Sequence, residues 1–146
     1  MDKVIDTGRL ILRRFTLDDL RAFYQLCSRP EIIRFAQSTP LASLEDVERA
    51  HAPAYIEQFL NGTLPLATIR RIGFPWSEAL VKRTLASVGG TLAATDDALA
   101  RGWGGNLAGG THHAFRAEGS GFCVLNDIAV AILAARARHG TERAAV

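Results

Sequence analysis

Two short segments decide the fold of this 146-residue chain: Gly109-Gly110-Thr111-His112-His113-Ala114-Phe115 and Gly119-Ser120-Gly121-Phe122-Cys123-Val124-Leu125-Asn126-Asp127. Glycines before and after the two histidines let the backbone adopt positive φ angles and let another molecule approach the main chain closely. Imidazoles titrate near neutral pH and can transfer protons. The two segments therefore outline a site for proton-transfer chemistry.

The same segments also allow a purely structural interpretation. A glycine-rich turn can carry two partly exposed histidines while Phe115 and Phe122 close a core. Composition alone favours this interpretation, because tandem histidines and loop glycines are each common. The order of the residues is therefore needed to distinguish the proton-transfer site from the structural turn.

That order resembles the histone deacetylase family, in its bacterial acetoin-utilisation-type branch. The resemblance covers residues about 45–146 and implies an α/β protein: an incomplete, helix-rich, three-layer αβα fold of the arginase/deacetylase kind. The upstream segments that share it are His51-Ala52-Pro53-Ala54-Tyr55, Gly62-Thr63-Leu64, Arg70-Arg71-Ile72-Gly73-Phe74-Pro75-Trp76-Ser77 and Ser87-Val88-Gly89-Gly90-Thr91.

The resemblance implies a reaction and a role for several residues. In the family, a zinc-activated water hydrolyses the amide of an acetylated lysine or polyamine, and the tandem histidines act as the acid/base pair. His113 would be the principal general base and His112 its electrostatic partner. The backbone of Gly121 and the ring of Phe122 would line the tunnel that receives the substrate, and Phe115 would pack near the site.

The metal ligands are where the sequence departs from the family. A catalytic zinc needs three protein ligands and an open position. The family takes them from an Asp-x-His on the strand after the helix that here ends near Gly140, and from a later Asp, whereas this sequence stops at Val146. We therefore expect a truncated, inactive fragment with no bound zinc. A substitute site from the four histidines is disfavoured, because the neighbours His112 and His113 project differently.

Residues about 5–36 resemble a different family, the GNAT N-acetyltransferases. Gly8 to Thr16 and Ser28 to Phe35 match its opening strand and helices, which implies an N-terminal β-α segment. The acetyl-CoA loop of that family has no good counterpart, since the nearest string, Arg101 to Asn106, ends in Asn and follows a helix. We therefore predict a GNAT-like segment at 1–40 and a partial deacetylase domain at 41–146. The alternative functions are a non-catalytic remnant or interaction module, and an acetyltransferase fragment.

Composition restricts the partners and the location. The net charge is only +2 and the arginines are scattered, which argues against nucleic acid. Two cysteines far apart exclude a disulfide framework and favour the cytoplasm. The longest apolar run, residues 128–135, is far below the roughly 18 residues that span a bilayer. An incomplete sheet would leave an exposed edge, which predicts self-association.

Turn and capping residues predict the order of secondary structure along the chain. The predicted elements are a strand at Arg9–Phe15, a helix from Thr16 to Ser28, a short helix opening at Pro30, a helix capped by Ser43, a helix opening at Pro53, a long helix capped by Ser77, a buried strand at Asn106–Ala108, a helix from Asp127 to Arg138, and a strand beginning at Ala144. Gly89-Gly90, inside the long helix, predicts either a close packing contact or a break.

Overall fold

A computed structural model describes residues 5–13, 16–19, 21, 22, 25 and 41–146 of the chain. The chain divides into two compact units, Met1–Ser38 and Thr39–Val146. Among the described residues, no helix is both long and apolar enough to cross a membrane.

The first unit contains a small antiparallel hairpin. Strand β1 (Ile5–Asp6) pairs with strand β2 (Ile11–Leu12), with Ile5 opposite Leu12 and Asp6 opposite Ile11. The strand predicted at Arg9–Phe15 is therefore present in its centre but shorter, and it has a partner that the sequence did not predict. A single 3-10 turn follows at Leu17–Asp19.

The helix predicted from Thr16 and the short helix predicted at Pro30 both fall in this unit. The 3-10 turn lies where the helix from Thr16 was predicted, and the side chain of Asp19 accepts the backbone N–H of Thr16 at 2.8 Å. Residues 21, 22 and 25 are helical. The rest of that helix, and the short helix opening at Pro30, lie outside the described residues.

Five helices make up the described part of the second unit: α1 (Leu44–Ala50), α2 (Pro53–Leu60), α3 (Leu66–Ile72), α4 (Glu78–Arg101) and α5 (Asp127–His139). Helix α5 packs against α1 and α4. No strand is assigned between residues 41 and 146, so the described part of this unit is helical. The core is formed mainly by Val47, Ile56, Phe59, Val88, Leu92, Val124, Leu125 and Val130.

Side-chain caps start three of the helices where the sequence predicts them. Ser43 accepts the N–H of Asp46 at 3.2 Å, Ser77 accepts that of Leu80 at 3.1 Å, and Asn126 accepts that of Ala129 at 3.0 Å. Helices α4 and α5 end at glycines in the left-handed conformation, Gly102 and Gly140.

The glycine pair inside α4 marks a packing contact. The helix continues through Gly89 and Gly90 without a break, and Gly89 is buried. A Cβ atom at position 90 would lie 2.9 Å from Nδ2 of Asn106. Glycine is therefore needed here because the following loop lies directly against the helix.

The buried strand predicted at Asn106–Ala108 is wrong. These residues form a turn, and Leu107 is fully exposed at 109%. The Asn106 side chain accepts the N–H of Ala108 at 3.1 Å and donates to the Ser87 carbonyl at 2.9 Å, which bends the chain and fastens it to α4. The strand predicted at Ala144 is also not formed, and residues 144–146 are exposed.

Helix α3 was not predicted. It has seven residues and no side-chain cap, and its amino-terminal boundary is Pro65. It ends at Gly73, whose φ of 89° stops the helix. A helix this short gives too little apolar periodicity to detect.

Replacing a buried isoleucine tests this core. Ile56→Val should lower the free energy of unfolding by about 0.5–1.5 kcal/mol, because it removes one buried methylene. The matched substitution Ile11→Val, at an exposed position of the hairpin, should change it by less than about 0.5 kcal/mol. Urea unfolding followed by circular dichroism measures both values, and equal effects would contradict the assignment of this core.

Candidate functional site

The buried carboxylate of Asp127, the first residue of α5, fixes the loop that carries the tandem histidines. Asp127 is 0% exposed. Its Oδ1 atom accepts the backbone N–H of Thr111 at 2.7 Å and the Thr111 hydroxyl at 2.8 Å. Its Oδ2 atom accepts the N–H of Gly110 at 3.0 Å and the hydroxyl of Thr91 on α4. One carboxylate therefore accepts three hydrogen bonds from the residues just before His112 and a fourth from α4.

Close packing at Gly109 brings the same loop against α4. A Cβ atom at this position would lie 2.5 Å from Oγ1 of Thr91 and 2.6 Å from Oδ2 of Asp127. Asn106 donates from Nδ2 to Oγ1 of Thr91 at 2.8 Å, which extends the hydrogen-bond network along the helix. Only glycine fits at position 109 without displacing this network.

The rings of His112 and His113 lie side by side at the surface. Their centroids are 4.1 Å apart and both residues are exposed. Nδ1 of His112 lies 2.9 Å from the carbonyl oxygen of Gly110. Because a carbonyl only accepts, Nδ1 carries the proton, and Nε2 of the neutral ring is left as an acceptor.

Asn126, the N-cap of α5, fastens the loop from the other side. Its Nδ2 atom donates to the carbonyl of Ala114 at 3.1 Å and to that of His112 at 3.4 Å. Its own backbone N–H donates to Nε2 of His51 at 2.9 Å. The backbone before and after His113 is therefore held by one amide side chain.

His51 is a buried residue and not an exposed ligand. Its side chain is among the most buried in the protein, at 1% exposure. Burial lowers the pKa of His51, an effect that the nearby backbone of Phe115 and Arg116 partly opposes. The neutral ring is consistent with Nε2 accepting a hydrogen bond from Asn126.

Gly121 and Phe122 form the second wall of the site. Both have positive φ angles, 54° and 64°, and Phe122 is the one non-glycine residue in the described part of the chain with this conformation. A Cβ atom at position 121 would lie 3.3 Å from the ring of His113, so this backbone packs directly on that histidine.

The ring of Phe122 is held by the end of α3. Its backbone N–H donates to the carbonyl of Ile72 at 2.7 Å, and its ring packs edge-on against Phe74 with centroids 5.2 Å apart. The ring remains 65% exposed. Phe122 and Phe74 also line a cavity of about 350 Å³ whose other walls include Arg83, Ser87 and Thr111.

Phe115 lies apart from this arrangement. Its backbone N–H donates to the carbonyl of Glu118 at 2.8 Å in a short turn, and its side chain is 65% exposed. The structure thus brings together four of the five predicted site residues, His112, His113, Gly121 and Phe122, and leaves the ring of Phe115 at the surface of the adjoining turn.

The described residues do not fit a zinc ion. No group of three or more His, Cys, Asp or Glu side chains in this part of the chain could hold a metal. His51 is engaged with Asn126, and Nε2 of His139 lies 3.1 Å from Oδ1 of Asp96 at the far end of α5.

Sequence reasoning named the histidines but missed the residues that position them. Asp127, Asn126 and His51 belong to the segments that resemble the family, but the sequence predicted no role for them. A detectable signal was present, because Asn126 directly precedes an apolar helix that begins at Asp127, and polar side chains commonly cap helices at this position. The long-range bonds from Thr91 and Asn106 give no such signal.

Comparison with known proteins identifies the family of this chain. The histone deacetylase domain profile matches residues 13–146. An uncharacterized protein of Picosynechococcus sp. is 40% identical over 132 residues, which are 89% of this chain and 44% of that protein. The acetoin utilization protein AcuC of Bacillus subtilis is 36% identical over 102 residues, 63% of this chain and 26% of that protein.

A solved structure shares the fold. The crystal structure of a histone deacetylase homolog from Aquifex aeolicus superimposes with a TM-score of 0.59 at 26% identity, over 68% of this chain and 29% of that one. The shared fold is the α/β deacetylase fold, of which this chain forms an incomplete, helix-rich part, as predicted. The chain belongs to the histone deacetylase family, whose members are zinc-dependent deacetylases in general. It spans less than half the length of these relatives.

The domain prediction remains a prediction. The two compact units meet between Ser38 and Thr39, close to the predicted boundary at residue 40, whereas the deacetylase match already begins at residue 13. The match thus overlaps part of the segment that resembles a GNAT acetyltransferase.

Removing the charge of Asp127 tests its role as an anchor. Asp127→Asn places an NH₂ group against the donors at Gly110 or Thr111, so at least one part-buried N–H loses its acceptor. The free energy of unfolding should fall by about 1–3 kcal/mol. Asp97→Asn is the control, because Asp97 forms only an exposed ion pair with Arg101, and it should cost less than about 1 kcal/mol. Equal effects in urea unfolding would contradict the anchor.

The lowered pKa of His51 predicts a pH dependence of stability. The unfolded chain becomes protonated at His51 as the pH falls below the ordinary histidine pKa of about 6.5. The folded chain stays neutral there until the pH reaches its own, lower pKa. The free energy of unfolding should therefore be constant above about pH 6.5 and decrease below it. The decrease should be steeper than in His51→Gln by up to about 1.4 kcal/mol per pH unit. Unfolding curves from pH 8 to pH 5 measure the difference. Parallel pH profiles of the two proteins would refute the prediction.

Proposed function

We propose that this chain provides the proton-transfer pair and one wall of the substrate channel for the hydrolysis of acetylated amines. The observation that carries the proposal is the placement of His113 between its neighbour His112 and the backbone of Gly121. A substrate lying along Phe122 would therefore have an imidazole beside it.

The histidines have different tasks in this proposal. In amide hydrolysis, a water oxygen bonds to the carbonyl carbon, the C–N bond breaks, and acetate and a free amine leave. His113 takes a proton from the water, and the pair returns one to the departing nitrogen. His112 is held by its bond to the Gly110 carbonyl and acts on His113 electrostatically.

Gly121 and Phe122 contact the substrate. The exposed Phe122 ring offers an apolar surface for the methylene chain of an acetyl-lysine or acetyl-polyamine. Gly121 leaves the main chain uncovered, so the substrate can approach closely. Phe115 contributes to the rim of the site, since its ring is exposed two residues beyond His113.

The metal has to be held by residues other than those described. Zinc would polarise the acetyl carbonyl when bound. Because the described residues contain no metal-ligand cluster, we expect no zinc on them and no turnover by them alone. We further propose a cytoplasmic location, which follows from the cysteine content.

A second candidate function, an interaction module, is favoured by exposed apolar side chains. Trp103 and Leu107 are both on the loop after α4, and both are largely exposed. Such side chains favour association with another protein surface. The sequence predicts self-association through a sheet edge, but no strand is assigned between residues 41 and 146, so in this proposal the exposed loop mediates the association.

A reconstitution experiment tests the first proposal. The full chain is combined with the part of the Picosynechococcus relative that it does not match, and acetate release from an acetyl-lysine peptide and from N-acetylputrescine is measured with added zinc. The complex should release acetate, and His113→Ala should slow it by about 10²- to 10⁴-fold. His139→Ala, at the far end of α5, should leave the rate unchanged.

The outcomes separate the candidate functions. A complex that hydrolyses equally well with His113→Ala would refute the acid/base role. A complex that forms but releases no acetate would support the interaction module. Turnover by the chain alone with stoichiometric zinc would contradict the expectation that the metal is held elsewhere.

A further inference from the structure

We propose that His51 is a positioning residue for the tandem histidines, acting through Asn126. This inference rests on the proposed function, because it concerns how the proton-transfer pair is oriented. His51 lies at the end of α1, far from His112 and His113 in the sequence. No direct contact is required, since Asn126 lies between them.

The first step is the bond that His51 accepts. Asn126 is the N-cap of α5, and its backbone N–H points to Nε2 of His51 at 2.9 Å. A backbone donor at this distance requires a lone pair on Nε2, so the neutral ring carries its proton on Nδ1. Asn126 is thus held by a buried acceptor that does not belong to its own helix or loop.

The second step is the pair of hydrogen bonds that the Asn126 side chain donates. Its side-chain amide reaches the carbonyls of His112 and Ala114, the residues on either side of His113. Rotation of Asn126 would release both carbonyls together. The backbone conformation at His113 therefore depends on the orientation of the Asn126 side chain.

The third step is a second contact between the same two segments. The backbone N–H of Ala52, next to His51, donates to the carbonyl of Arg116 at 2.8 Å. The α1–α2 junction therefore supports the chain segment 112–116 through His51 and through Ala52.

Because His51 acts through Asn126, substitutions that keep or remove these hydrogen bonds should have different effects on the tandem histidines. His51→Gln retains an acceptor near the position of Nε2, whereas His51→Leu has a similar volume without one. Asn126→Ser retains an N-cap oxygen for α5 but loses the amide that donates to His112 and Ala114. The inference predicts that the glutamine variant behaves as the unchanged protein, and that the other two share a defect.

Nitrogen-15 NMR of the imidazole side chains tests this inference on the full chain. In the unchanged protein and in His51→Gln, His112 should show a single Nδ1–H tautomer, bonded to the Gly110 carbonyl. In His51→Leu and Asn126→Ser, that single-tautomer signature should be lost. The N–H of Asn126 should exchange roughly tenfold faster in His51→Leu, which corresponds to one lost hydrogen bond.

Ile56→Val serves as the matched control, because it loosens the core without touching this chain of bonds. It should leave the His112 signature intact. If His51→Leu does not fold, Asn126→Ser gives the deciding result, since it keeps the cap. An unchanged His112 signature in either folded variant would overturn the inference. This outcome would not affect the proposed hydrolysis, which is judged by acetate release with His113→Ala.

Discussion

The carboxylate of Asp127 is buried where no water is available to it, and the donors around it explain how that is possible. Moving an unpaired carboxylate out of water costs several kcal/mol. Here two backbone N–H groups and two hydroxyls surround it, and it stands at the amino-terminal end of α5, where the helix dipole favours negative charge. The carboxylate is stable only with the loop in place, and among the described residues the N–H groups of Gly110 and Thr111 have no other acceptor. Loop and helix start therefore form together.

The same anchor connects the core to the surface site. Val124, Leu125 and Val130 are buried core residues on either side of Asp127, so the packing of α5 sets the position of the carboxylate. The carboxylate in turn sets the position of Gly110, whose carbonyl orients His112. The non-directional packing of the core thus fixes the geometry of a directional hydrogen bond at the exposed ring of His112.

Sequence reasoning succeeded where a local rule applies and failed where distant partners decide. Ser43 and Ser77 cap helices by bonds to residues three positions ahead, and such bonds can be read from the sequence. Asn106 was predicted inside a strand, because its apolar neighbours suggested burial and nothing local showed that its amide would bond to Ser87. The tandem histidines were found by resemblance, whereas the contact from His51 to Asn126 spans 75 positions and is visible only in the folded chain.

Helix α3 shows how an element without a strong sequence signal can still determine the geometry of the site. Phe122 adopts a left-handed conformation that costs a non-glycine residue of order 1 kcal/mol or more. The carbonyls of Arg71 and Ile72, left free at the end of α3, accept the N–H groups of Gly121 and Phe122 and offset that cost. Gly73 must lack a side chain, because a Cβ atom there would lie 2.8 Å from the Phe122 ring. A short helix that ends early at a glycine therefore supplies both the acceptors and the space for an exposed aromatic ring beside the histidines.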